Sequence, residues 1–201
     1  LGTMATVNNN TDPFLIKINA GTPQNTVVTL KINFADGAYT DFQIFDIVVN
    51  VDYINVTINQ VSTTITSKGR LCYNGEGQTE GLGFVYNGEN LAYEAGLMIG
   101  QSSSKVSDNV RGAPNTDNDF QSVQVVQKLI PTVQSEFDLF GKFNDNPSAS
   151  PLPVLVSHKA FAWSNPGDDK YIIVEYIIKN TSASTISNLF AGVFADWDIQ
   201  D

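Results

Sequence analysis

The chain has 201 residues, of which 42% are hydrophobic and 16% charged, so it is long enough to form one large globular domain or two small ones. Its formal net charge of −10 at pH 7 disfavours binding to nucleic acid or to an anionic membrane surface, because both would repel it. No run of about 18 apolar residues is present, so the sequence predicts no membrane-spanning helix. The single cysteine, Cys72, cannot form an intrachain disulfide.

Residues 14–51 alternate between apolar and polar side chains, with the period of two that is typical of strands with one buried face. Three alternating runs contain Ile16, Ile32 and Ile47, and turn-forming sequences lie between them. The pattern predicts three antiparallel strands with one solvated face. We interpret residues 1–52 as the C-terminal part of an immunoglobulin-like β domain, that is, its closing strands, with the first strands expected upstream.

Residues 53–201 predict a larger antiparallel β-sandwich domain that is truncated before its own last strands. A glycine-dense segment over residues 69–100 predicts tight turns and close approach of backbones. Residues 120–130 are compatible with a strand or a short helix, and a strand is the favoured interpretation. Strands are predicted again over residues 152–163 and 171–180, so the fold class of the whole chain is predicted to be all-β.

The strand predicted over residues 171–180 has the clearest pattern in this domain. Its apolar positions recur at every second residue and form one unbroken face: Ile172, Val174, Tyr176 and Ile178. Glu175 and Lys179 fall on the opposite face, so we expect the apolar face to pack in the core and the charged face to meet solvent.

Six segments of the second domain occur in an order that carries a family resemblance. They are SKGRLCYN at residues 67–74, GLGFVY at 81–86, LAYEAGLMIG at 91–100, VSDNVR at 106–111, VEYIIKN at 174–180 and GVFADWDI at 192–199. This ordered set resembles the β-rich region C-terminal to the catalytic domain of large secreted subtilisin-like serine peptidases, in bacteria with a type IX secretion system. The resemblance extends over nearly the whole chain, with residues 12–52 similar to the immunoglobulin-like end.

The resemblance implies a location and a role. Proteins of that family are exported by the bacterium, and their β-rich region follows the catalytic domain, which implies a secreted or cell-surface location and an accessory role for this chain. In the family the Asp-Trp-Asp-Ile segment is followed by further strands and a C-terminal sorting domain, so this chain is similar to an internal piece. The partners implied are the neighbouring domains of the same parent chain.

The residues themselves predict no catalytic site, so we interpret the chain as not an enzyme. A nucleophile needs an adjacent base and an orienting acid. His158 is the only histidine, and we expect it to be a polar residue at the solvent face or edge of a strand. Cys72 has no evident base nearby in sequence and is expected to be a buried or half-buried structural thiol.

Oxygen-rich clusters are the only candidates for a metal site, because one histidine and one cysteine cannot build a zinc site. Oxygen ligands favour Ca²⁺ as the cofactor, if any metal is bound. The candidate ligands are Asn115, Asp117 and Asp119 in a predicted loop, Asp196 and Asp198 around a tryptophan, and the residues 144–146. The alternative interpretation of each cluster is a solvated turn stabilised by its own Asn or Asp side chains.

Exposed aromatic residues are the candidates for ligand binding. Trp163, Trp197 and Tyr86 could form stacking platforms for a glycan. The alternative is that each packs in the core or against a cross-strand neighbour. The acidic pair around Trp197 does not predict a glycosidase, because both carboxylates lie on one strand with no opposing carboxylate on another element.

Three functions follow from these observations. The preferred interpretation is a non-catalytic accessory or interaction β module of a large secreted or cell-surface protein, expected to be a peptidase. The first alternative is a β-sandwich module that binds carbohydrate or a protein substrate. The second is a self-assembling structural or adhesive surface protein whose copies exchange strands.

Overall fold

Fourteen strands and no helix make up the described part of the chain, which confirms the predicted all-β class. A computed structural model describes residue 8 and residues 10–19, 21–75, 77–111 and 118–199. The chain divides into two compact units, Leu1–Asn50 and Val51–Asp201. All strand pairings are antiparallel.

The first unit contains two strands and the second contains twelve in the residues described. Their bounds are β1 Thr26–Asp36, β2 Tyr39–Val49, β3 Tyr53–Val56, β4 Val61–Thr66, β5 Arg70–Leu71, β6 Phe84–Tyr86, β7 Glu89–Asn90, β8 Ala92–Ser102, β9 Lys105–Asp108, β10 Gln121–Lys128, β11 Phe137–Asn144, β12 Val154–Ala162, β13 Ile173–Asn180 and β14 Phe190–Trp197.

The first unit is built on a long hairpin in which β1 and β2 pair without interruption from Thr26↔Val49 to Asp36↔Tyr39. A two-residue turn joins them, and Gly37 in that turn has a φ of +61°, which glycine adopts without steric cost. These strands are the second and third alternating runs of the sequence.

The first alternating run does not form a strand, so that prediction was wrong. Residues 13–19 lie outside any sheet, and the side chains of Phe14, Leu15 and Ile16 are exposed. Alternation gives a segment the side-chain pattern of a strand, but a strand also needs a partner for its backbone groups. The hairpin has exposed side chains on both faces, which differs from the predicted buried face. The immunoglobulin-like interpretation stays a prediction.

The second unit is a sandwich of two antiparallel sheets. One sheet has the strand order β14-β8-β5-β4-β6-β7, with β3 paired to β4 and β9 paired to β8. The other has the order β10-β11-β12-β13. Inward-facing residues of both sheets meet in two apolar clusters, one around Ile99 and Phe143 and one around Ile65 and Leu139. Such burial is the main stabilising term of a sandwich.

Strand β10 settles the interpretation of residues 120–130, which form a strand and not a helix. Its register with β11 shifts twice, between Ser122 and Gln124 and between Gln124 and Gln127. Each β-bulge adds an unpaired residue and turns the following side chains to the other face. The bulges therefore explain why the period of two is blurred in this stretch.

The apolar face predicted for β13 is confirmed. Ile172 and Val174 pack against the cluster that contains Leu139, and Tyr176 and Ile178 pack against the cluster that contains Phe143. All four are only partly buried, because β13 is the last strand of its sheet. One edge of the sandwich therefore leaves part of the core face accessible.

Candidate functional site

The candidate site is a cleft between the two edge strands β13 and β14. In the described part of the chain, β13 pairs only with β12, and β14 pairs only with β8. At the other side of the sandwich β10 contacts β3, and the backbone N–H of Val126 donates to Ser67 Oγ at 2.8 Å. The two sheets thus meet on one side and leave an accessible cleft on the side of β13 and β14.

The cleft has a volume of about 150 Å³ and is almost entirely apolar. Its lining comes from both sheets: Thr63, Ile65, Leu71, Cys72, Phe84, Ala95, Ile172, Val174, Val193, Ala195 and Trp197. Val193 is 56% exposed and Trp197 is 51% exposed, although both lie on the face of β14 that continues the core. Such exposure of large apolar groups on a core face leaves part of that face available to a ligand or partner.

The pairing of β14 with β8 decides which side chains enter the cleft. Val193 lies opposite Leu97, and Ala195 lies opposite Ala95, so these residues share the face that packs in the core. A register shift between Asp196 and Trp197 then brings Trp197 opposite Ala92 on the same face. The Trp197 ring meets the ring of Phe84 edge to face, with centroids 5.3 Å apart.

The segment between β13 and β14 is held at one end of the cleft. Ile186 packs against the core, and Gln101 Nε2 donates to the backbone carbonyl of Ser187 at 2.8 Å. Asn180 Oδ1 accepts hydrogen bonds from both the backbone N–H and the hydroxyl of Ser182, at 2.9 and 2.8 Å. These contacts order the turn.

The opposite end of the cleft is acidic. Asp196 and Asp198 flank Trp197 at the end of β14, and Asp198 lines a small depression of about 170 Å³ together with Glu89. Glu94 lies opposite Asp196, and its charge is offset by Arg70 at 3.3 Å. In the part of the chain that the structure describes, Asp196, Asp198 and Glu89 form no salt bridge.

Only part of the predicted calcium sites lies within the described residues. Asn115 and Asp117 are outside them, and Asp119 Oδ2 accepts a hydrogen bond from the backbone N–H of Asp108 at 3.2 Å. Where the structure describes the chain, no group of three or more His, Cys, Asp or Glu side chains lies together. Asp196 and Asp198 are exposed at the end of β14. Calcium stays a prediction.

Asp145, in the third predicted cluster, is fully buried and structural. Its Oδ2 accepts hydrogen bonds from Ser107 Oγ at 2.9 Å and from the backbone N–H of Leu152 at 2.5 Å. Two donors on a buried carboxylate stabilise the loop that precedes β12. The side chain therefore connects β9 to the loop between β11 and β12.

The three predicted aromatic ligand-binding residues lie in different settings. Trp163 packs against Tyr171, with ring centroids 6.0 Å apart and a tilt of 55°. Tyr86 is half-buried on the short strand β6, and Trp197 forms one wall of the cleft. No ring contact within the described residues joins Trp163, Trp197 and Tyr86 to one another. Of the three, only Trp197 belongs to the cleft.

The interpretation of His158 as a solvent-facing residue was wrong. It lies on the inward face of β12 and is 1% exposed, between Phe143 and Tyr176. Its Nε2 atom sits against Gly141, where an added Cβ would lie only 2.3 Å away. Burial lowers the pKa of His158 to about 4, so the imidazole is neutral at pH 7.

Cys72 is buried, as predicted for a structural thiol. Burial raises the pKa of its thiol to about 11, and the hydrogen bond with Thr63 and the positive charge of Arg70 oppose this only in part. The thiolate is the reactive form, so the side chain is unreactive at neutral pH. It serves as an apolar wall of the cleft.

No protein-family model, curated protein or solved structure matches the chain significantly. The described part of the chain also has no helix long and apolar enough to cross a membrane.

Sequence reasoning missed Val193 and Ala195 as part of a site. The signal was present, because Val193, Ala195 and Trp197 recur at every second position. The same pattern describes any strand that packs against a second sheet. Only the order of the strands shows that this apolar face is left partly uncovered.

Proposed function

We propose that the chain is a non-catalytic interaction module of a secreted or cell-surface protein, and that it engages its partner through the cleft between β13 and β14. The half-exposed core face of β14 carries this proposal. A large apolar group in water costs about 25 cal/mol for each Å² exposed, so covering Val193 and Trp197 favours association. The sequence resemblance favours a parent protein of the subtilisin-like peptidase type.

The environments of the two groups best suited to nucleophilic chemistry support a non-catalytic role. His158 is buried among apolar and aromatic neighbours, and Cys72 is buried with a raised pKa. A general base must reach the proton that it removes, and a cysteine nucleophile must be available as thiolate. Neither side chain meets its requirement in this fold.

A carbohydrate-binding module is the second candidate. The partly exposed Trp163, packed against the exposed Tyr171, favours it, because two neighbouring rings offer stacking surface to a sugar. Their tilt of 55° makes them poorly coplanar. The cleft and this aromatic pair use different residues, so separate variants can test the two functions.

The test is a parallel screen of the immobilised protein against a random peptide display library and a glycan array. We expect the library to yield binders that Val193→Asp abolishes and Trp163→Ala does not. Glycan binding that is lost in Trp163→Ala and kept in Val193→Asp would establish the second candidate instead. If neither screen yields a binder that depends on these residues, and the protein stays monomeric, the proposed interaction module is refuted.

A further inference from the structure

Strand β14 has the features of an acceptor for an added strand. Its eight residues, Phe190–Trp197, use one edge to pair with β8, and the other edge pairs with no strand in the described residues. A free edge presents alternating N–H and C=O groups that can bind an extended polypeptide. Natural edge strands are commonly protected by charged residues, and none occurs in β14 before Asp196.

The other free edge of the cleft is better protected. On β13, Glu175 forms a salt bridge with Lys159 at 2.9 Å, and Lys179 is exposed near the end of the strand. Charged side chains along an edge oppose pairing with another strand, because pairing would partly desolvate them. Of the two edges that border the cleft, β14 is therefore the acceptor.

Both faces beside β14 carry apolar side chains, and on the face opposite the cleft the Arg111 guanidinium also lies over the Phe194 ring, with Cζ 5.0 Å from the ring centroid. Val193 and Trp197 face the cleft, and Phe190, which is 68% exposed, lies on the opposite face in a shallow groove with Met98 and Val106. Side chains of an added strand alternate between the two faces. Such a strand would cover apolar surface with each of its faces, which a glycan could not do.

The volume of the cleft limits the side chain that can enter it. A cavity of about 150 Å³ lined by aliphatic and aromatic groups can hold a benzene-sized group. One aromatic or leucine side chain in the middle of the added strand therefore fits. Two such groups would require the sheets to separate.

Charge decides between a second copy of this chain and a different polypeptide. Each copy has a formal net charge of −10, so two copies repel each other. Asp198 and Glu89 lie together at the Trp197 end of the cleft. This end attracts lysine or arginine, so a cationic segment is favoured over a second copy.

We propose that β14 binds an extended, cationic segment of another polypeptide as an added antiparallel or parallel strand. One large apolar side chain of that segment enters the cleft, and a basic side chain lies near Asp198 and Glu89. This inference rests on the proposed interaction function and specifies the chemistry of its partner.

The probe is a synthetic peptide of about nine residues, long enough to span a strand. It has a central Phe flanked by Val at alternate positions, Thr between them and Lys at both ends. Binding is measured by calorimetry and by hydrogen exchange of the β14 amides. Two versions with alternate backbone amides N-methylated, covering both sets of positions, remove the strand hydrogen bonds, and a version with Glu at both ends reverses the charge.

The protein variants form a matched pair. Val193→Asp and Val123→Asp each place a carboxylate at an exposed valine of an edge strand, 56% and 52% exposed respectively. We expect Val193→Asp to weaken binding of the Lys peptide by about tenfold or more, and Val123→Asp by less than about twofold. If Val193→Asp does not fold, the isosteric Val193→Thr tests the same position, with a smaller loss expected.

Three results support the proposal together. The Lys peptide protects the β14 amides from exchange, at least one N-methylated set abolishes binding, and the Glu peptide binds about tenfold more weakly at low salt. Equal binding of the N-methylated peptides would overturn strand addition but leave the interaction module intact. Concentration-dependent dimerisation that protects β14, without peptide binding, would overturn the proposal in favour of a second copy.

Discussion

The buried histidine makes a quantitative prediction about acid stability. His158 lies between Phe143 and Tyr176, at ring-centroid distances of 5.4 and 6.4 Å. Burial also raises the pKa of Tyr176, so neither neighbour supplies a negative charge to the imidazole at neutral pH. Protonation of His158 in the folded state would place a charge in an apolar site without a counter-charge from these two rings.

The direction of the effect follows from the two protonation equilibria. The pKa of His158 falls from an ordinary value of 6.5 to about 4 on folding. Between these values the unfolded chain binds a proton that the folded chain does not, so acidification favours unfolding. The contribution of the neutral His158 side chain to the free energy of unfolding is fully present above about pH 6.5. It is lost as the pH falls towards about 4, at a slope of about 1.4 kcal/mol per pH unit.

The total loss is about 3 kcal/mol, which is a large part of the 5–15 kcal/mol that typically stabilises a domain. The assay is urea unfolding at a series of pH values between about 7 and about 4.5. Tryptophan fluorescence reports the second unit alone, because Trp163 and Trp197, the two tryptophans of the chain, both lie in it. The control is His158→Gln, which cannot titrate.

The native protein should lose stability more steeply than His158→Gln across this range, even though the variant is less stable at pH 7. Carboxylates with a lowered pKa, such as Asp138, contribute stability that is lost only below their ordinary value of 3.8, outside the range measured. Parallel pH profiles of the two proteins would refute the reasoning and show that the folded imidazole is accessible to protons.

Three further predictions concern packing in the second unit and are tested by urea unfolding. Gly141→Ala adds a Cβ 2.3 Å from the buried imidazole and should lower the free energy of unfolding by about 1–3 kcal/mol. In the control Gly192→Ala, the added Cβ meets no neighbour within 4 Å and should change that free energy by about 0.5 kcal/mol or less. Equal effects of the two substitutions would contradict this prediction. Glu94→Leu leaves Arg70 buried without its partner and should cost about 3 kcal/mol, and adding Arg70→Met should recover part of it. Asp138→Asn replaces a carboxylate that accepts hydrogen bonds from three backbone N–H groups of the preceding turn. We expect it to lower the free energy of unfolding by about 1–3 kcal/mol, and an unchanged unfolding midpoint would rule this out.

Sequence periodicity predicted strands where one face packs on a core and the other meets solvent. Strand β13 is the best example, because its inward residues do pack against both apolar clusters. Residues 14–19 carry the same pattern without forming a strand. Side-chain alternation depends on neighbours in sequence, but strand formation also depends on a partner elsewhere in the chain.

His158 could have been placed correctly from the sequence. Val156 and Ala160 lie two residues to either side of it, and all three share the inward face of β12. The prediction relied on the fact that histidine is usually exposed or half-buried, and not on the alternation of inward-facing and outward-facing positions along the strand. Gly141 on the adjacent strand, which makes room for the ring, could not be matched to it without the register.

The sequence by itself determined the all-β class and the strand pattern of the second unit, because a period of two is a local property of the chain. The tertiary structure alone decided which strands lie at the edges. Strand β14 pairs with β8, about a hundred residues earlier in the chain, and the other sheet ends at β13. Among the described residues, the cleft lined by Val193 and Trp197 exists because β13 and β14 each pair on one side only, and no local pattern encodes which strand lies at the edge of a sheet.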